Sequence, residues 1–296
     1  MGDREPIANS GSPAAIAWSG DPGDAQLGRW GAPAELSVPV DARGLLLADG
    51  VFETLLLEQG RARLLAEHLG RWQRGAQLLG LPAPPAAEPL QVLIREAALR
   101  SGISEGSLRL NWCRSGGGRG MDPAPPWAAA ARFWLQLTAG QPCFDPLRVI
   151  ISRWEQRNPA SRLSRCKSFA YTAQLLARRE AIEAGADDAL MLALSGELSC
   201  GAAANLLVLR DGIWLTPPLA SGCLPGVMRG RALALGLAKE ETLQPEDLLG
   251  GEGAVLINSL GCRPLRRCGV QELRALEAAA AERLWRGLLK GSAPQA

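Results

Sequence analysis

The chain has 296 residues, a net charge of +2 and a hydrophobic share of 47%. This length is long for one compact core and favours two lobes. The charge is too small and too dispersed for a nucleic-acid-binding surface, and the apolar runs fall far short of the roughly 20 residues that span a bilayer. Because residues 1–13 lack the apolar core of a signal peptide, we expect a disordered tail there and a cytoplasmic protein.

The cysteines and the single histidine exclude two further kinds of site. The seven cysteines are odd in number and contain no CxxC pair, so neither a disulfide framework nor a metal site is expected. With one histidine in the chain, a catalytic triad built on serine or cysteine is disfavoured. That residue, His68, lies at the start of a predicted helix, where a structural role is favoured over a catalytic one.

The first half of the chain predicts a lobe over residues 1–138 that mixes strands and helices. Strands are predicted from short apolar runs between turn residues, and helices from apolar residues at helical spacing. In chain order these elements are two strands within 36–57 on either side of Asp49-Gly50, a strand over 62–65 after the Gln59-Gly60 turn, helices over 67–81 and 90–100, and strands over 107–113 and 131–138.

A segment rich in glycine and proline, residues 139–146, predicts a linker to a larger second lobe over 147–296. Its predicted elements, in chain order, are a strand over 149–153, a helix over 168–184, strands over 189–194, 205–209 and 213–216, and helices over 228–236 and 273–289. Asp211-Gly212 is a strong signal for a hairpin between two of these strands. Since no internal repeat is present, we predict a two-lobed α+β or α/β fold.

Lys167 is conspicuous because the chain has three lysines against 29 arginines. Lys239 and Lys290 lie in charged or terminal segments and are interpreted as surface residues. Lys167 lies beside apolar residues at the start of a predicted helix. An amine can lose its proton and form a Schiff base, which a guanidinium cannot do. Composition alone leaves a Schiff-base lysine and a surface lysine as equal alternatives.

Seven short motifs occur along the chain in the order typical of one enzyme family. They are Ala48–Leu55, Leu64-Leu65 with His68 and Arg71, Arg114 with Gly116–Gly120, Arg157-Asn158-Pro159 ahead of Lys167, Ala204-Asn205-Leu206, Leu224–Arg229 and Asn258-Ser259-Leu260. Together they resemble the class IV aminotransferases, over all but roughly the first 30 and the last 20 residues. The resemblance implies a two-lobed fold of type IV, with a smaller N-terminal and a larger C-terminal lobe, and pyridoxal 5'-phosphate as the cofactor.

The resemblance also implies the residues that hold the cofactor. Lys167 would form the Schiff base and later move protons. Arg71 would clamp the cofactor phosphate, since a guanidinium fork matches phosphate oxygens; the alternative is a solvated arginine on a helix surface. The segment Gly226-Val227-Met228 would bind the same phosphate through backbone amides at a helix N-terminus, and Ser259 would add a hydroxyl group.

Further residues are candidates for contact with the substrate. Arg114 and Arg119 flank the glycine-rich loop, and the resemblance suggests that they clamp a substrate carboxylate; solvated loop arginines are the alternative. Asn258 is a third candidate for substrate binding. The hydroxyl group of Thr54 could assist proton transfer as a catalytic group, although a buried strand threonine is the plainer interpretation.

At one position the chain departs from the family pattern. The family places a glutamate five residues before the asparagine of the Ala204-Asn205-Leu206 motif, where it keeps the pyridine nitrogen of the cofactor protonated. Here that position is Cys200, and Glu197, three residues away, would point to the opposite face of a strand. A thiol is a weak donor and a poor charge partner, so the electron sink of the cofactor would be weakened. The alternative is a small buried cysteine away from the cofactor.

Within the family, the motifs are most similar to those of the 4-amino-4-deoxychorismate lyases. The resemblance therefore implies a lyase that forms 4-aminobenzoate and pyruvate in folate synthesis, with a small-molecule carboxylate as substrate and a homodimer as the assembly. Cys200 favours the lyase reaction, because formation of the aromatic product drives it even when the electron sink of the cofactor is weak. Transamination depends on a strong electron sink in both of its half-reactions. A branched-chain or D-amino-acid aminotransferase and a non-catalytic pyridoxal-phosphate-binding protein are the alternatives.

Overall fold

The computed structural model describes residues 14–23, 28–115, 121 and 131–290. Its first sheet is antiparallel and has the strand order β2-β1-β6-β5-β3-β4. The strands are β1 (Ala15–Gly20), β2 (Arg29–Gly31), β3 (Gly50–Glu58), β4 (Arg61–Ala62), β5 (Gly106–Arg114) and β6 (Ala131–Ala139). The helices of this lobe are α1 (Arg43–Leu47), α2 (Leu65–Leu78) and α3 (Ala87–Ser101).

The second sheet follows between Leu147 and Glu272 and has the order β12-β11-β10-β13-β14-β7-β8-β9. Its strands are β7 (Leu147–Ile151), β8 (Asp188–Leu192), β9 (Leu198–Gly201), β10 (Asn205–Arg210), β11 (Ile213–Thr216), β12 (Ala238–Glu240), β13 (Gly253–Asn258) and β14 (Gly261–Cys268), with β15 (Gln271–Glu272) paired to β14. Strand β9 also pairs with β10, through Cys200 and Asn205, so β10, β13, β14, β7, β8 and β9 close on themselves. The helices here are α4 (Thr172–Glu183), α5 (Val227–Ala234), α6 (Asp247–Gly250) and α7 (Ala278–Lys290).

The mixture of strands and helices in two lobes confirms the predicted fold class. The hairpin prediction is also confirmed: Asp211 and Gly212 both adopt positive φ angles, 51° and 71°, between β10 and β11. Two-residue turns of this kind match the twist of antiparallel strands. Within the described ranges, no helix is both long enough and apolar enough to cross a membrane.

Four predicted elements are wrong in type or extent. The strand predicted over 62–65 ends at Ala62, and Leu65 is the first residue of α2. Residues 43–47 form α1 rather than a strand, since a short apolar run such as Leu45–Leu47 does not distinguish helix from strand. The helix predicted over 168–184 begins only at Thr172. The helix predicted over 273–289 begins at Ala278, and the amide of Leu273 still donates to the Arg266 carbonyl of β14 (2.9 Å), so the predicted helix starts too early.

The position of Lys167 follows from the late start of α4. The segment around it is extended and pairs with the beginning of β3: the amide of Phe52 donates to the Lys167 carbonyl (3.0 Å), and the amide of Phe169 donates to the Gly50 carbonyl (2.9 Å). These bonds fix a second-lobe segment on a first-lobe strand. A shared apolar cluster adds to this, in which Leu56 of β3 packs with second-lobe residues that include Trp285.

Successive side chains of β3 point to opposite faces of the sheet, one towards the apolar core and the other towards a cavity. Val51 and Leu55 point into the core beneath α2 and α3, together with Trp72. Phe52 and Thr54, on the other face of the strand, border a cavity between the lobes. One strand therefore connects the core of the first lobe to that cavity.

We predict that Gly50→Ala destabilises the protein, because an added Cβ would lie 2.5 Å from the Phe169 ring and 2.6 Å from Cys113. Overpacking of this kind costs about 1–3 kcal/mol, which chemical denaturation would measure. Gly287→Ala is the matched control: Gly287 is exposed in α7 with nothing within 4 Å, so alanine there should stabilise by up to about 1 kcal/mol. Equal stability of Gly50→Ala and the wild type would contradict the close contact.

Candidate active site

The cavity between the lobes has a volume of about 460 Å³ and a cationic lining. Lys167, Arg71, Arg109 and Arg157 border it. Among the described residues that line it, none is aspartate or glutamate. A cavity with these groups favours a ligand that carries more than one negative charge.

Lys167 is the lysine that faces this cavity, whereas Lys239 and Lys290 are exposed on β12 and α7. Its Nζ donates to the hydroxyl group of Tyr171 (3.0 Å) and lies 4.4 Å from the centre of the Phe52 ring. Tyr171 is the single tyrosine of the chain. Since Tyr171 and Phe52 hold the amine at the cavity wall, the interpretation of Lys167 as a surface residue is excluded.

Arg71 is buried and forms a two-pronged ion pair with Glu53 of β3. Its Nε and Nη2 donate to the two carboxylate oxygens at 2.8 and 2.5 Å, and its Nη1 donates to the Pro225 carbonyl at 3.4 Å. Burial alone would raise the pKa of Glu53, but the charges and hydrogen bonds of Arg71 and His68 outweigh it and hold that pKa at about 2. Arg71 is therefore not a solvated residue of a helix surface; its orientation is fixed by a buried carboxylate.

The N-terminus of α5 forms the wall next to Arg71. Gly226 precedes the helix, and a Cβ at this position would come within 1.9 Å of Asn205 Oδ1. Asn205 in turn donates to the Leu224 carbonyl at 2.9 Å, which fixes the turn before the helix. The first amides of a helix have no partner within it and suit an anion, and Val227 and Met228 supply such amides at the cavity.

Cys200 lies at another point of the cavity lining, on β9 opposite Met191 and Asn205. Burial raises the pKa of its thiol, against a smaller opposing effect of the Arg157 charge, so the thiol stays neutral. The guanidinium of Arg157 donates to carbonyl groups, among them that of Gly222 at 2.9 Å. Glu197 is not part of the lining.

Arg109 also borders the cavity, although in the sequence it is marked only as an arginine within a predicted strand. It lies opposite Thr54 in the pairing of β5 with β3, and its guanidinium stacks 3.7 Å from the centre of the Phe52 ring. Its Nε donates to Asn111 Oδ1 at 2.8 Å, and in the part of the chain that the structure describes it has no carboxylate partner. Burial lowers the pKa of Arg109, as expected for a cation held partly out of water.

The structure brings most of the predicted site residues to one cavity. They are Lys167, Thr54, Arg71, Cys200, Gly226, Val227, Met228, Asn258 and Ser259. Arg114 is not among them: it is buried elsewhere, with Nε donating to Asp49 (2.9 Å) and Nη2 to the carbonyls of Leu79 and Gly80. Arg119 lies outside the described residues.

An amine, a fixed guanidinium and a helix N-terminus border one cavity, and these groups suit a phosphorylated carbonyl cofactor. The family model for amino-transferase class IV matches residues 50–268. The chain therefore belongs to the class IV aminotransferase family, and pyridoxal 5'-phosphate is its cofactor.

Individual relatives and solved structures agree with this assignment. The chain is 26% identical to the branched-chain-amino-acid aminotransferase of Salmonella typhimurium over 200 residues, which span 66% of this chain and 64% of that protein. It is 26% identical to the bifunctional aminodeoxychorismate lyase / D-amino acid transaminase of Mycobacterium tuberculosis over 239 residues, or 72% and 78% of the two chains. The fold IV transaminase CpuTA1 from Curtobacterium pusillum superposes with a TM-score of 0.79 at 24% identity, covering 94% of this chain and 100% of that chain, which confirms fold type IV.

The residues of the cavity fit the cofactor. Its volume lies within the range of about 300–1,000 Å³ that small-molecule sites occupy. Lys167 offers the amine for a Schiff base, and Arg71 with the start of α5 offers donors for a phosphate. Glycine is required at position 226 because the Asn205 side chain fills the space that a Cβ would occupy and fixes the turn before α5.

We predict that Arg71→Ala weakens cofactor binding by about 1.5–3 kcal/mol, the range for a hydrogen bond to a charged group. Arg71→Lys should recover only part of this, because a lysine lacks the two-pronged geometry. Titration of cofactor-free protein with pyridoxal 5'-phosphate would measure the change. Arg74→Ala, on the exposed side of the same helix, is the control and should bind normally; unchanged affinity in Arg71→Ala would remove Arg71 from the phosphate site.

Proposed function

We propose that the chain is a pyridoxal-phosphate-dependent lyase that converts 4-amino-4-deoxychorismate to 4-aminobenzoate and pyruvate. The observation that carries the proposal is Cys200, a neutral buried thiol in a cavity whose described lining contains no carboxylate. A relative from Mycobacterium tuberculosis is named for this lyase activity together with a D-amino acid transaminase activity, which supports a lyase activity within this family.

The chemistry of Cys200 favours elimination over transamination. When bound, the cofactor supplies an electron sink for the carbon that carries the substrate nitrogen, and the sink is strongest when the pyridine nitrogen is protonated. A thiol is a poor charge partner for that proton, and the nearby positive charge of Arg157 disfavours it further. A reaction whose product is an aromatic ring tolerates a weaker sink, because aromatisation drives it.

The residues of the cavity have distinct roles in this proposal. The amine of Lys167 removes the proton from the ring carbon that bears nitrogen, while Tyr171 and Phe52 orient that amine. The C–O bond on the adjacent ring carbon then breaks, and the three-carbon group leaves as enolpyruvate, which takes up a proton to become pyruvate. The substrate carries two carboxylates, and Arg109 and Arg157 are cations of the cavity that can receive them.

Further parts of the proposal concern other residues and the whole protein. Asn258 and Arg119 stay proposed substrate-binding residues, and Thr54 a proposed catalytic one, whereas Arg114 lies outside the cavity in contact with Asp49 and is not proposed to bind the substrate. We also propose a homodimer, as the family resemblance implies, and a cytoplasmic location. All seven cysteines are free thiols, which suits a reducing compartment.

An aminotransferase acting on branched-chain or D-amino acids is the second candidate. The observation that favours it is the name of the relative from Salmonella typhimurium, a branched-chain-amino-acid aminotransferase. A product assay separates the two candidates. Pyruvate and 4-aminobenzoate formed from 4-amino-4-deoxychorismate without an added 2-oxo acid support the lyase, and amino-group transfer that requires a 2-oxo acid supports the aminotransferase. A protein that binds the cofactor and does neither reaction is a binding protein.

We predict that Lys167→Ala abolishes turnover and the absorbance of lysine-bound cofactor, while thermal stability stays near that of the wild type. The reason is that Lys167 is the lysine of the chain that faces the cavity. Borohydride reduction followed by peptide mapping identifies the modified residue directly. Lys239→Ala, at an exposed position on β12, is the control and should retain full activity; cofactor found on Lys239 or Lys290 would contradict the assignment.

We predict that Cys200→Glu raises transamination by at least about tenfold, the effect of roughly 1.4 kcal/mol on a barrier, while lyase turnover changes little. A carboxylate within about 4–6 Å of the ring nitrogen favours its protonated form and restores the sink. Single-turnover spectroscopy follows both reactions. Cys200→Gln, with equal size and no charge, is the control; no gain in the glutamate variant, with an unaltered cofactor spectrum, would mean that residue 200 does not face the ring.

A further inference from the structure

The single histidine of the chain lies between the buried carboxylate and the cavity. His68 is only 1% exposed. Its Nδ1 is 2.7 Å from Glu53 Oε2, and its Nε2 is 3.1 Å from the hydroxyl oxygen of Ser259, which borders the cavity. A chain of hydrogen bonds therefore runs from Glu53 through His68 to the proposed phosphate site.

The chemistry of the partners fixes the protons along this chain. The pKa of Glu53 is held at about 2, so its carboxylate only accepts hydrogen bonds and Nδ1 of His68 carries a proton. In the neutral imidazole Nε2 is then an acceptor, and Ser259 donates to it. In this state the hydroxyl proton of Ser259 is engaged in the hydrogen bond to Nε2 of His68, so Ser259 cannot donate a hydrogen bond to an anion in the cavity.

The charges around His68 include one carboxylate and two cations, and both cations disfavour its protonation. Glu53 on β3 compensates Arg71 on α2, and the third charge that acts on His68 is Lys167, in the segment before α4. Burial lowers the pKa of His68, and Glu53 only partly offsets it. The free protein therefore holds His68 neutral at neutral pH.

We propose that His68 takes up a proton from solvent when the cofactor phosphate binds. The imidazolium then donates from Nδ1 to Glu53 and from Nε2 to Ser259, and the hydroxyl group of Ser259 turns to donate to the phosphate. His68 thereby adds one positive charge behind the phosphate dianion, which the compensated Arg71 does not supply. The inference rests on the proposed function, in that the bound anion is the phosphate of pyridoxal 5'-phosphate.

The proposal gives cofactor affinity a pH dependence of defined sign. Binding raises the pKa of His68 above its value in the free protein, so affinity is highest at low pH and falls as pH rises through the pKa of the free protein, until it levels off above that of the complex. Each tenfold fall in affinity corresponds to a rise of about 1 in that pKa. The phosphate group of the free cofactor titrates as well and changes the affinity of every variant in the same way. The contribution of His68 is therefore the difference between the pH dependence of the wild type and that of a variant that binds the same cofactor.

Ser259→Ala is that variant, since it breaks the hydrogen-bond chain and keeps His68. Between about pH 6 and about pH 9, the factor by which the dissociation constant for the cofactor rises should be about ten times larger in the wild type than in Ser259→Ala. Ser259→Thr keeps a hydroxyl group and should restore the steeper dependence. Equal slopes in wild type and Ser259→Ala would overturn the proposal.

The single histidine permits a direct test by nuclear magnetic resonance. In protein labelled with ¹⁵N-histidine, the shift of Nε2 distinguishes a bare nitrogen from a protonated one. We expect Nε2 to be bare in cofactor-free protein, protonated with pyridoxal 5'-phosphate, and bare with pyridoxal, which lacks the phosphate. A cofactor that binds while His68 stays neutral would overturn this inference alone, whereas a protein that does not bind the cofactor would overturn the proposed function as well.

Discussion

The rest of the site depends on the burial of the Glu53 carboxylate, which is fully removed from solvent. A buried charge without partners costs several kcal/mol, and here Arg71 and His68 supply them. These contacts join β3 to α2 and, through Ser259, to the turn after β13. The same carboxylate therefore orients the guanidinium at the proposed phosphate site and connects the two lobes beneath it.

The alternation of β3 connects this ion pair to the reacting amine. Glu53 points to the face that α2 covers, while its neighbour Phe52 points to the cavity and lies beneath Lys167. The backbone of Phe52 binds the backbone of Lys167 as well. Phosphate site and amine are thus held from one rigid strand, which is the arrangement that precise positioning requires.

The position of Cys200 gives the chain its own chemistry within this scaffold. The cations that face the cavity suit an anionic cofactor and an anionic substrate, but none of the described lining residues can balance a protonated pyridine. In the proposed function, this site binds its ligands through charge, and the residue next to the ring nitrogen is a neutral thiol. A cationic cavity with a neutral thiol favours a reaction that is driven by the formation of an aromatic product.

The sequence predicted the two-lobed fold and the hairpin at Asp211-Gly212, because both rest on local patterns. Composition left Lys167 open between a Schiff-base lysine and a surface lysine, and the resemblance to the family favoured the first. It could not predict that Arg71 is buried, since the pairing with Glu53 joins residues 18 positions apart on different elements. Neither Arg114, which is engaged by Asp49, nor Arg109, which faces the cavity, is distinguished by a local pattern. Only the pairing of β5 with β3 decides which of these arginines reaches the cavity.

The protonation state of the cofactor's ring nitrogen decides whether the neutral thiol of Cys200 leaves the electron sink weak. Protein reconstituted with pyridoxal 5'-phosphate labelled with ¹⁵N in the ring reports that state through the nitrogen chemical shift. We expect the shift of an unprotonated pyridine at neutral pH in the wild type. A protonated ring nitrogen in the wild type would contradict the account, because it would require a charge partner that the described lining of the cavity does not provide.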